Sequence, residues 1–171
     1  MYPQAFIDYL VHFHGDRDYF ECHEVLEEFW KEKERGARDQ FWVGFIQIAV
    51  SFYHHRRGNF PGAQRTLEKA ISILEDERVQ VHSLGIDDRK LLSTLKERLS
   101  DIKARNPYKS LNIPISDHAL MQACLKECSL REVIWGSDSD LTNQYLLNKH
   151  TLRDRSDVIM ERERQKEKKR K

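Results

Sequence analysis

The sequence predicts an all-α protein: an antiparallel helical bundle of about five to six helices with a charged C-terminal tail. Apolar residues recur at spacings of three and four in successive segments, which is the period of a helix with one buried face. Seven glycines and four prolines are few for 171 residues, and most of them stand between these segments. The only cluster of β-branched residues is too long and too unbroken by turn residues to predict a strand. These observations together favour helices packed on helices.

Turn and capping residues delimit the first two helices. Pro3 occupies a helix-opening position, and Gly15 ends the first apolar segment. Asp18 and Glu21 form a pattern like a capping box, which predicts the start of a second helix. We expect this second helix to extend to about Glu34.

Four further helices are expected from similar signals. The third is predicted at 39–57, and the fourth begins around Pro61, a residue favoured in the first turn of a helix. The fifth and sixth are predicted at 87–102 and 116–134. In each of the three stated ranges, the first residue is an Asp or Ser that can act as the N-terminal cap.

By composition, the chain divides into three parts. Residues 1–76 are expected to form a core helical domain that carries the candidate site, and residues 77–135 to form additional helices packed on it. Residues 136–171 are a polar, highly charged C-terminal extension.

The formal net charge of +1 gives no general attraction to nucleic acid or to membranes. Because the N-terminus lacks the basic and apolar regions of a leader, and no apolar run approaches the roughly 20 residues of a membrane span, we expect a cytoplasmic protein.

Polar side chains interrupt the apolar faces of the second and third predicted helices. The second helix has one broad apolar arc, which consists of Tyr19, Phe20, Cys22, Leu26, Phe29 and Trp30. His23 lies within this arc and Glu27 at its edge. In the third, a narrow stripe on an otherwise apolar surface consists of Gly44, Gln47, Ser51, His54 and His55. Gly44 and Ser51 are small enough to let a neighbouring helix approach closely. Because buried polar groups need partners, we expect this stripe to face the second helix. The predicted cluster, either a ligand-binding site or a buried polar network, consists of His23, Glu24, Glu27, Gln47, Ser51, His54, Arg57 and Asn59.

Two interpretations of this cluster are open at the level of sequence. As a structural network, His23 and Glu27 would bond to groups on the third helix and fix the register of the two helices. As a metal site, His23, Glu27 and His54 would supply nitrogen and carboxylate ligands to a divalent ion such as zinc or manganese. The pattern His23-Glu24-x-x-Glu27 departs from the zincin helix, which needs a second histidine at its last position. No catalytic residue is assigned.

The end of the third helix also permits two roles. Basic residues there meet the negative end of the helix dipole, and Gly58 or Asn59 can cap the helix, which explains the composition without a ligand. Alternatively, Asn59 caps the following helix, whose opening amide groups could bind an anion beside Arg57.

The spacing of these residues resembles the domain of unknown function 309 family. The resemblance covers residues 2–74 and rests on three segments, which are Phe20-x-x-His23-Glu24-x-Leu26-Glu27-x-x-Trp30, Gly44-x-Ile46-Gln47-x-Ala49 and Arg57-Gly58-Asn59-x-x-Gly62-Ala63. It implies a small all-helical bundle, and it assigns no activity, cofactor or partner. It also implies that the family signature includes His23, Glu27, Trp30, Gln47, Gly58 and Asn59. The sequence from Asp87 onward departs from this family core and is expected to be an addition to it.

Two classes of function follow from these patterns. The favoured one is a non-enzymatic interaction or scaffold module, whose partner is another protein or a second copy of the chain. The alternative is a bundle that binds a metal or a small ligand at the polar cluster, with a hydrolase as one form of it. Nucleic acid is disfavoured as a partner, because Glu163 and Glu167 interrupt the basic C-terminal run and no aromatic residue accompanies it. Association with a membrane is not expected.

Overall fold

A computed structural model describes residues 2–152, 164 and 166. Within these residues the chain forms nine α-helical segments, a π-helical turn at His12–Asp16 and a 3₁₀ turn at Arg35–Ala37. The all-α class is therefore confirmed, and the only β pairing in the described part is a single bridge between Ile86 and Ile115. The α-helices are α1 Gln4–Val11, α2 Tyr19–Lys31, α3 Gln40–Arg56, α4 Phe60–Asp76, α5 Arg78–Ser83, α6 Asp88–Lys103, α7 His118–Leu130, α8 Gln144–Leu147 and α9 Lys149–Leu152.

The number of helices exceeds the expected five to six because three of them are short. The segments α5, α8 and α9 span only two turns or fewer, so that their apolar residues cannot establish a helical period in the sequence. The six longer helices correspond to the six that the sequence predicts.

Helix α3 lies at the centre of the bundle. It packs against α2 on one side and against α4 on the other. Its fully buried side chains include Phe45, Ile48, Ala49 and Phe52. This position agrees with the sequence of α3, which is apolar around most of its circumference, as is typical of a central helix.

Local capping explains where several helices begin. The side chains of Asp18, Asn59 and Asp87 accept hydrogen bonds from the backbone N–H groups three residues later, each at 3.1 Å. Two expected caps are wrong. Asp39 precedes α3 without a capping bond from its side chain, and α7 follows Asp117 rather than Ser116.

Two predicted helix ends are too long. The second helix ends at Lys31, three residues before the expected Glu34, and a 3₁₀ turn follows it at Arg35–Ala37. The sixth ends at Leu130 rather than at Ile134, because the chain turns there through a left-handed residue, Glu132.

The π-helical turn after α1 connects the core to the C-terminal half. His14 is fully buried in it, where its Nδ1 donates to the carbonyl of Leu10 at 2.7 Å and its Nε2 accepts from the amide of Ile113 at 2.8 Å. The ring of Trp135 stacks on this imidazole at 4.0 Å. Desolvation of the imidazole is the main reason why the pKa of His14 is lowered to about 3, so that it is neutral at physiological pH.

The later helices pack on the first ones. Helix α7 contacts α1, and α6 contacts α4. Tyr2 donates to Asp117 at 2.5 Å, and Arg131 forms an ion pair with Asp8. The division into parts at 76 and 135 stays a prediction, and the charged tail from Arg153 falls almost entirely outside the described residues. None of the described helices is long and apolar enough to cross a membrane.

Candidate functional site

The outer face of α2 carries a row of three ionisable side chains, which are those of His23, Glu27 and Lys31. The Nε2 of His23 lies 2.5 Å from one carboxylate oxygen of Glu27, and the Nζ of Lys31 lies 2.6 Å from the other. All three occupy successive turns of the helix, so their proximity follows directly from the four-residue spacing. Glu24 lies on the other side of the imidazole, with its Oε1 3.5 Å from Nδ1 of His23.

This row of side chains is half-exposed rather than buried. The side chain of His23 is 29% exposed and that of Glu27 is 31% exposed. Burial raises the pKa of Glu27, but the hydrogen bond from Lys31 and the charges of His23 and Lys31 outweigh it, so the net pKa is below its usual value. Glu27 therefore remains a carboxylate at neutral pH, with both oxygens engaged.

An open surface cavity of about 500 Å³ lies on this face of α2. Its lining residues all belong to α2, which distinguishes it from a pocket enclosed between elements. They are His23, Glu24, Glu27, Glu28 and Lys31.

The small residues of the α3 stripe face α4, and the expectation that they face α2 is wrong. A methyl group added at Gly44 would lie 2.7 Å from Cδ2 of Leu74. The hydroxyl of Ser51, which is fully buried, donates to the carbonyl of Ala63 at 2.7 Å. Both contacts are to α4, so the close approach that small residues permit occurs between α3 and α4.

Three of the remaining predicted residues lie at the junction of α3 and α4: His54 is half-buried, while Arg57 and Asn59 are exposed. Gln47 is half-buried in the middle of α3. The Nδ2 of Asn59 donates to Nδ1 of His54 at 3.2 Å, and its Oδ1 caps α4. Asn59 therefore caps the start of α4, and the left-handed residue at the end of α3 is Gly58, with a φ of 78°. Anion binding beside Arg57 stays a prediction.

Arg57 contacts the C-terminal segment. Its Nε donates to Oδ1 of Asn148 at 3.0 Å, and its guanidinium lies 5.5 Å from the ring centre of Tyr53. The hydroxyl of Tyr53 in turn hydrogen-bonds to His150 of α9. Burial and the charge of Arg57 lower the pKa of the neighbouring His54.

The predicted metal triad is not assembled in the structure. Among the described residues, no three histidine, cysteine or acidic side chains are grouped so that they could hold a metal ion. His54 belongs to the α3–α4 junction, where it bonds to Asn59, while His23 and Glu27 pair on α2. Any metal site would therefore rest on His23 and Glu27 with ligands from elsewhere, and metal binding stays a prediction.

Trp30 is less buried than its sequence position indicates. The apolar arc of α2 predicts a core position, but the residue is half-buried at the edge of the core. The guanidinium of Arg38 lies 4.9 Å from the indole ring centre. Its Nε1–H is buried without a hydrogen-bonding partner among the described residues. Trp30 thus borders the outer face of α2 rather than filling the centre of the bundle.

Comparison with known proteins identifies the family. A family model described as Domain of unknown function (DUF309) matches residues 6–66. The chain is also 50% identical over 171 residues, 100% of its length and 98% of the relative's, to "Uncharacterized protein YpuF" of Bacillus subtilis (strain 168). The chain belongs to the DUF309 family. No solved structure matches this DUF309 protein.

The DUF309 match runs from α1 into α4 and therefore contains both the outer face of α2 and the α3–α4 junction. The helices that follow are not peculiar to this chain, because the Bacillus relative aligns along its whole length. The sequence resemblance is thus confirmed as a family, and the C-terminal half is shared with at least one relative.

The sequence gives little sign of one further polar cluster in this DUF309 protein. Three arginines have buried side chains that hydrogen-bond to residues of the C-terminal half. They are Arg17, Arg56 and Arg98. Only Arg17 has a distinctive backbone, since its φ of 56° ends the π-helical turn. Arginine is usually exposed, and neither its spacing nor its neighbours in sequence reveal these three contacts.

Proposed function

We propose that this protein is a non-enzymatic interaction module that binds a basic segment of a partner protein along the outer face of α2. The observation that supports this most is the half-exposed row of His23, Glu27 and Lys31. It lies at an open surface cavity whose lining residues all belong to one helix. A surface built on one rigid helix is suited to contact with another macromolecule.

The charges of this face indicate the chemistry of the partner. Glu24, Glu27 and Glu28 contribute three carboxylates against the single ammonium of Lys31. A segment carrying lysine or arginine would complement that acidic excess.

The protein itself contains an example of such a contact at the start of α2. The Nζ of Lys149 lies 2.7 Å from Asp18 and 3.2 Å from Glu21. Burial lowers the pKa of Lys149, but the hydrogen bonds and charges of the two carboxylates outweigh this and raise it overall. The acidic residues of α2 can therefore stabilise a cation that has lost much of its hydration.

A direct test is charge reversal on this face. The double variant Glu24→Lys with Glu28→Lys reverses two exposed or half-exposed carboxylates and leaves the pair of His23 and Glu27 in place. The matched control is Glu68→Lys with Glu97→Lys, on the exposed surfaces of α4 and α6.

Quantitative affinity purification from the native host cells is the measurement. We expect a partner to be captured by the wild type and by the control, and to be lost from the variant on α2. Capture of the same proteins by all three chains would contradict the proposal. Light scattering on the purified protein gives its mass in solution. It thereby shows whether the partner is a second copy of the chain or a different protein. A cytoplasmic location is part of the proposal, and cell fractionation checks it.

A further inference from the structure

Two buried arginines form no ion pair with an acidic side chain of the described residues, and each has a donor without a partner there. The side chains of Arg56 and Arg98 are 9% and 6% exposed. The hydrogen bonds that they make within the described residues go to neutral oxygens of the backbone or of Ser139. Nε of Arg56 and Nη1 of Arg98 are buried and have no partner in that part of the chain. A guanidinium is always protonated, and neither of these two is in direct contact with a carboxylate of the described residues; the charge of Asp101 acts on Arg98 from farther away.

Arg17 shows what a purely structural arginine does in the same fold. Its Nε donates to the carbonyl of Ser137 at 2.6 Å, and its Nη1 donates to that of Leu111 at 2.6 Å. Its Nη2 donates to Oδ1 of Asn112 at 2.8 Å. Each of its three nitrogens is therefore engaged. Arg56 and Arg98 differ from it because each retains a nitrogen with no partner.

Both arginines contact residues that line one cavity. Nη1 of Arg56 donates to Oγ of Ser139 at 3.2 Å, and Nη2 of Arg98 donates to the carbonyl of Lys109 at 2.6 Å. The ring centre of Tyr108 lies 6.0 Å from the guanidinium of Arg56 and 5.7 Å from that of Arg98. The two charges thus lie directly behind the cavity wall.

The wall itself presents hydroxyl groups. The hydroxyl of Tyr108 lies 2.7 Å from Oγ of Ser139 and 3.3 Å from Oγ of Ser110, so that three hydroxyls of the lining meet at one place. The buried hydroxyl of Tyr19 also hydrogen-bonds to that of Tyr108. The cavity has a volume of about 510 Å³, within the usual range for sites that bind small molecules. Its lining consists of Tyr108, Lys109, Ser110, Asp138, Ser139 and Leu141.

We propose that this cavity binds the phosphate group of a small phosphorylated molecule. The charges at its lining, Lys109 and Asp138, are opposite in sign, so that Arg56 and Arg98 leave an excess of positive charge behind the wall. Hydroxyl and ammonium groups of the lining can donate to phosphate oxygens, while the two guanidiniums, which do not line the cavity, would attract the anion through their charge. A phosphate has more acceptor oxygens than a carboxylate and can use several of these donors at once.

The first experiment measures binding of inorganic phosphate to the full chain by calorimetry, against chloride at equal ionic strength. We expect saturable binding at one site. The double variant Ser110→Ala with Ser139→Ala removes two donors and should weaken binding by about tenfold or more, since hydrogen bonds to charged groups are worth about 1.5–3 kcal/mol. Phosphate binding that is absent, or unchanged in this variant, would overturn the proposal.

A second pair of variants separates a ligand site from a purely structural role. Lys109→Gln removes the positive charge of an exposed lining side chain, so it should weaken phosphate binding with little change in the unfolding midpoint without phosphate. The control Arg89→Gln alters another cavity of similar size, about 520 Å³, between α4 and α6, and should leave phosphate affinity unchanged. Loss of affinity in Arg89→Gln alone would assign binding to that cavity and refute the proposal.

The nature of the phosphorylated molecule is addressed by comparing inorganic phosphate with a nucleoside monophosphate and a sugar phosphate. Tighter binding of an organic phosphate than of inorganic phosphate supports a small phosphorylated ligand. Equal affinity for all three would refute this and leave a site for the free anion. The site contains none of the residues on the outer face of α2. The experiments on phosphate binding therefore test it separately from the proposed binding of a partner protein.

Discussion

Replacement of Gly44 by alanine tests the packing of α3 against α4, which determines which side chains reach the candidate site. A Cβ at this position would lie 2.7 Å from Cδ2 and 2.9 Å from Cγ of Leu74. It would also lie 3.3 Å from Cγ2 of Ile73. Leu74 is fully buried, so it cannot swing into solvent to make room.

Two effects of opposite sign decide the result. Alanine is a better helix former than glycine by about 1 kcal/mol, which favours the variant. Overpacking of a well-filled core costs about 1–3 kcal/mol, which opposes it. We therefore expect Gly44→Ala to lower the free energy of unfolding by about 1 kcal/mol. In the background of Leu74→Ala the clash disappears, and the same substitution should raise the free energy of unfolding by about 1 kcal/mol.

Urea denaturation followed by circular dichroism measures all four members of this double-mutant cycle. The matched control is Gly36→Ala, because nothing lies within 4 Å of a Cβ built there. It should leave the free energy of unfolding nearly unchanged. If Gly44→Ala has the same effect with and without Leu74, the close approach of α3 and α4 at this position is refuted.

Three further perturbations test other parts of the fold. Because folding keeps His14 neutral with a pKa of about 3, its stabilising effect is full above the unfolded pKa of about 6.5 and is lost as pH falls towards the folded value. Between about pH 7 and pH 5 the free energy of unfolding should therefore fall by about 2 kcal/mol. In equilibrium unfolding experiments, the free energy of unfolding of His14→Gln should vary less with pH than that of the wild type. Trp30→Ala should lower the free energy of unfolding by about 2 kcal/mol, which is less than the loss for a fully buried aromatic residue. A loss above about 4 kcal/mol would contradict the half-buried position of Trp30. His23→Ala should change the free energy of unfolding by less than about 1 kcal/mol, since its pair with Glu27 is half-exposed, and a larger loss would indicate an internal network.

Local sequence signals predicted the helices and their beginnings well. Asn59 and Asp87 cap α4 and α6 as their positions indicate, because a capping bond joins residues three apart and depends little on the rest of the fold. Gly58 has the expected left-handed backbone, with a φ of 78°, at the end of α3. These features require only short-range geometry.

The partner of each helix face could not be predicted in the same way. The small residues Gly44 and Ser51 correctly indicate a close helix contact, but periodicity identifies a face without naming the helix that covers it. Because α4 covers this face, Ser51 bonds to Ala63 and does not join His23. The candidate site is consequently a half-exposed surface on α2 rather than a buried cluster between two helices.

The buried arginines were also beyond the reach of local patterns. Arg98 lies on α6, and it is held by the carbonyl of Lys109 and by stacking 4.6 Å from the ring centre of Phe52. The contact with Phe52 joins residues distant in sequence, and the other partner is a backbone group that any residue could supply. A pattern of side-chain types therefore carries no information about such contacts.

Site-specific photocrosslinking tests the central claim, which is that α2 presents the surface that binds a partner. A photoreactive phenylalanine analogue is placed at Glu28, an exposed lining residue of the cavity on α2, and at Glu97, an exposed control on α6. On irradiation in the native host cells, we expect the chain labelled at Glu28 to form one defined adduct and the chain labelled at Glu97 to form none. No adduct from Glu28, or the same adducts from both positions, would contradict the account.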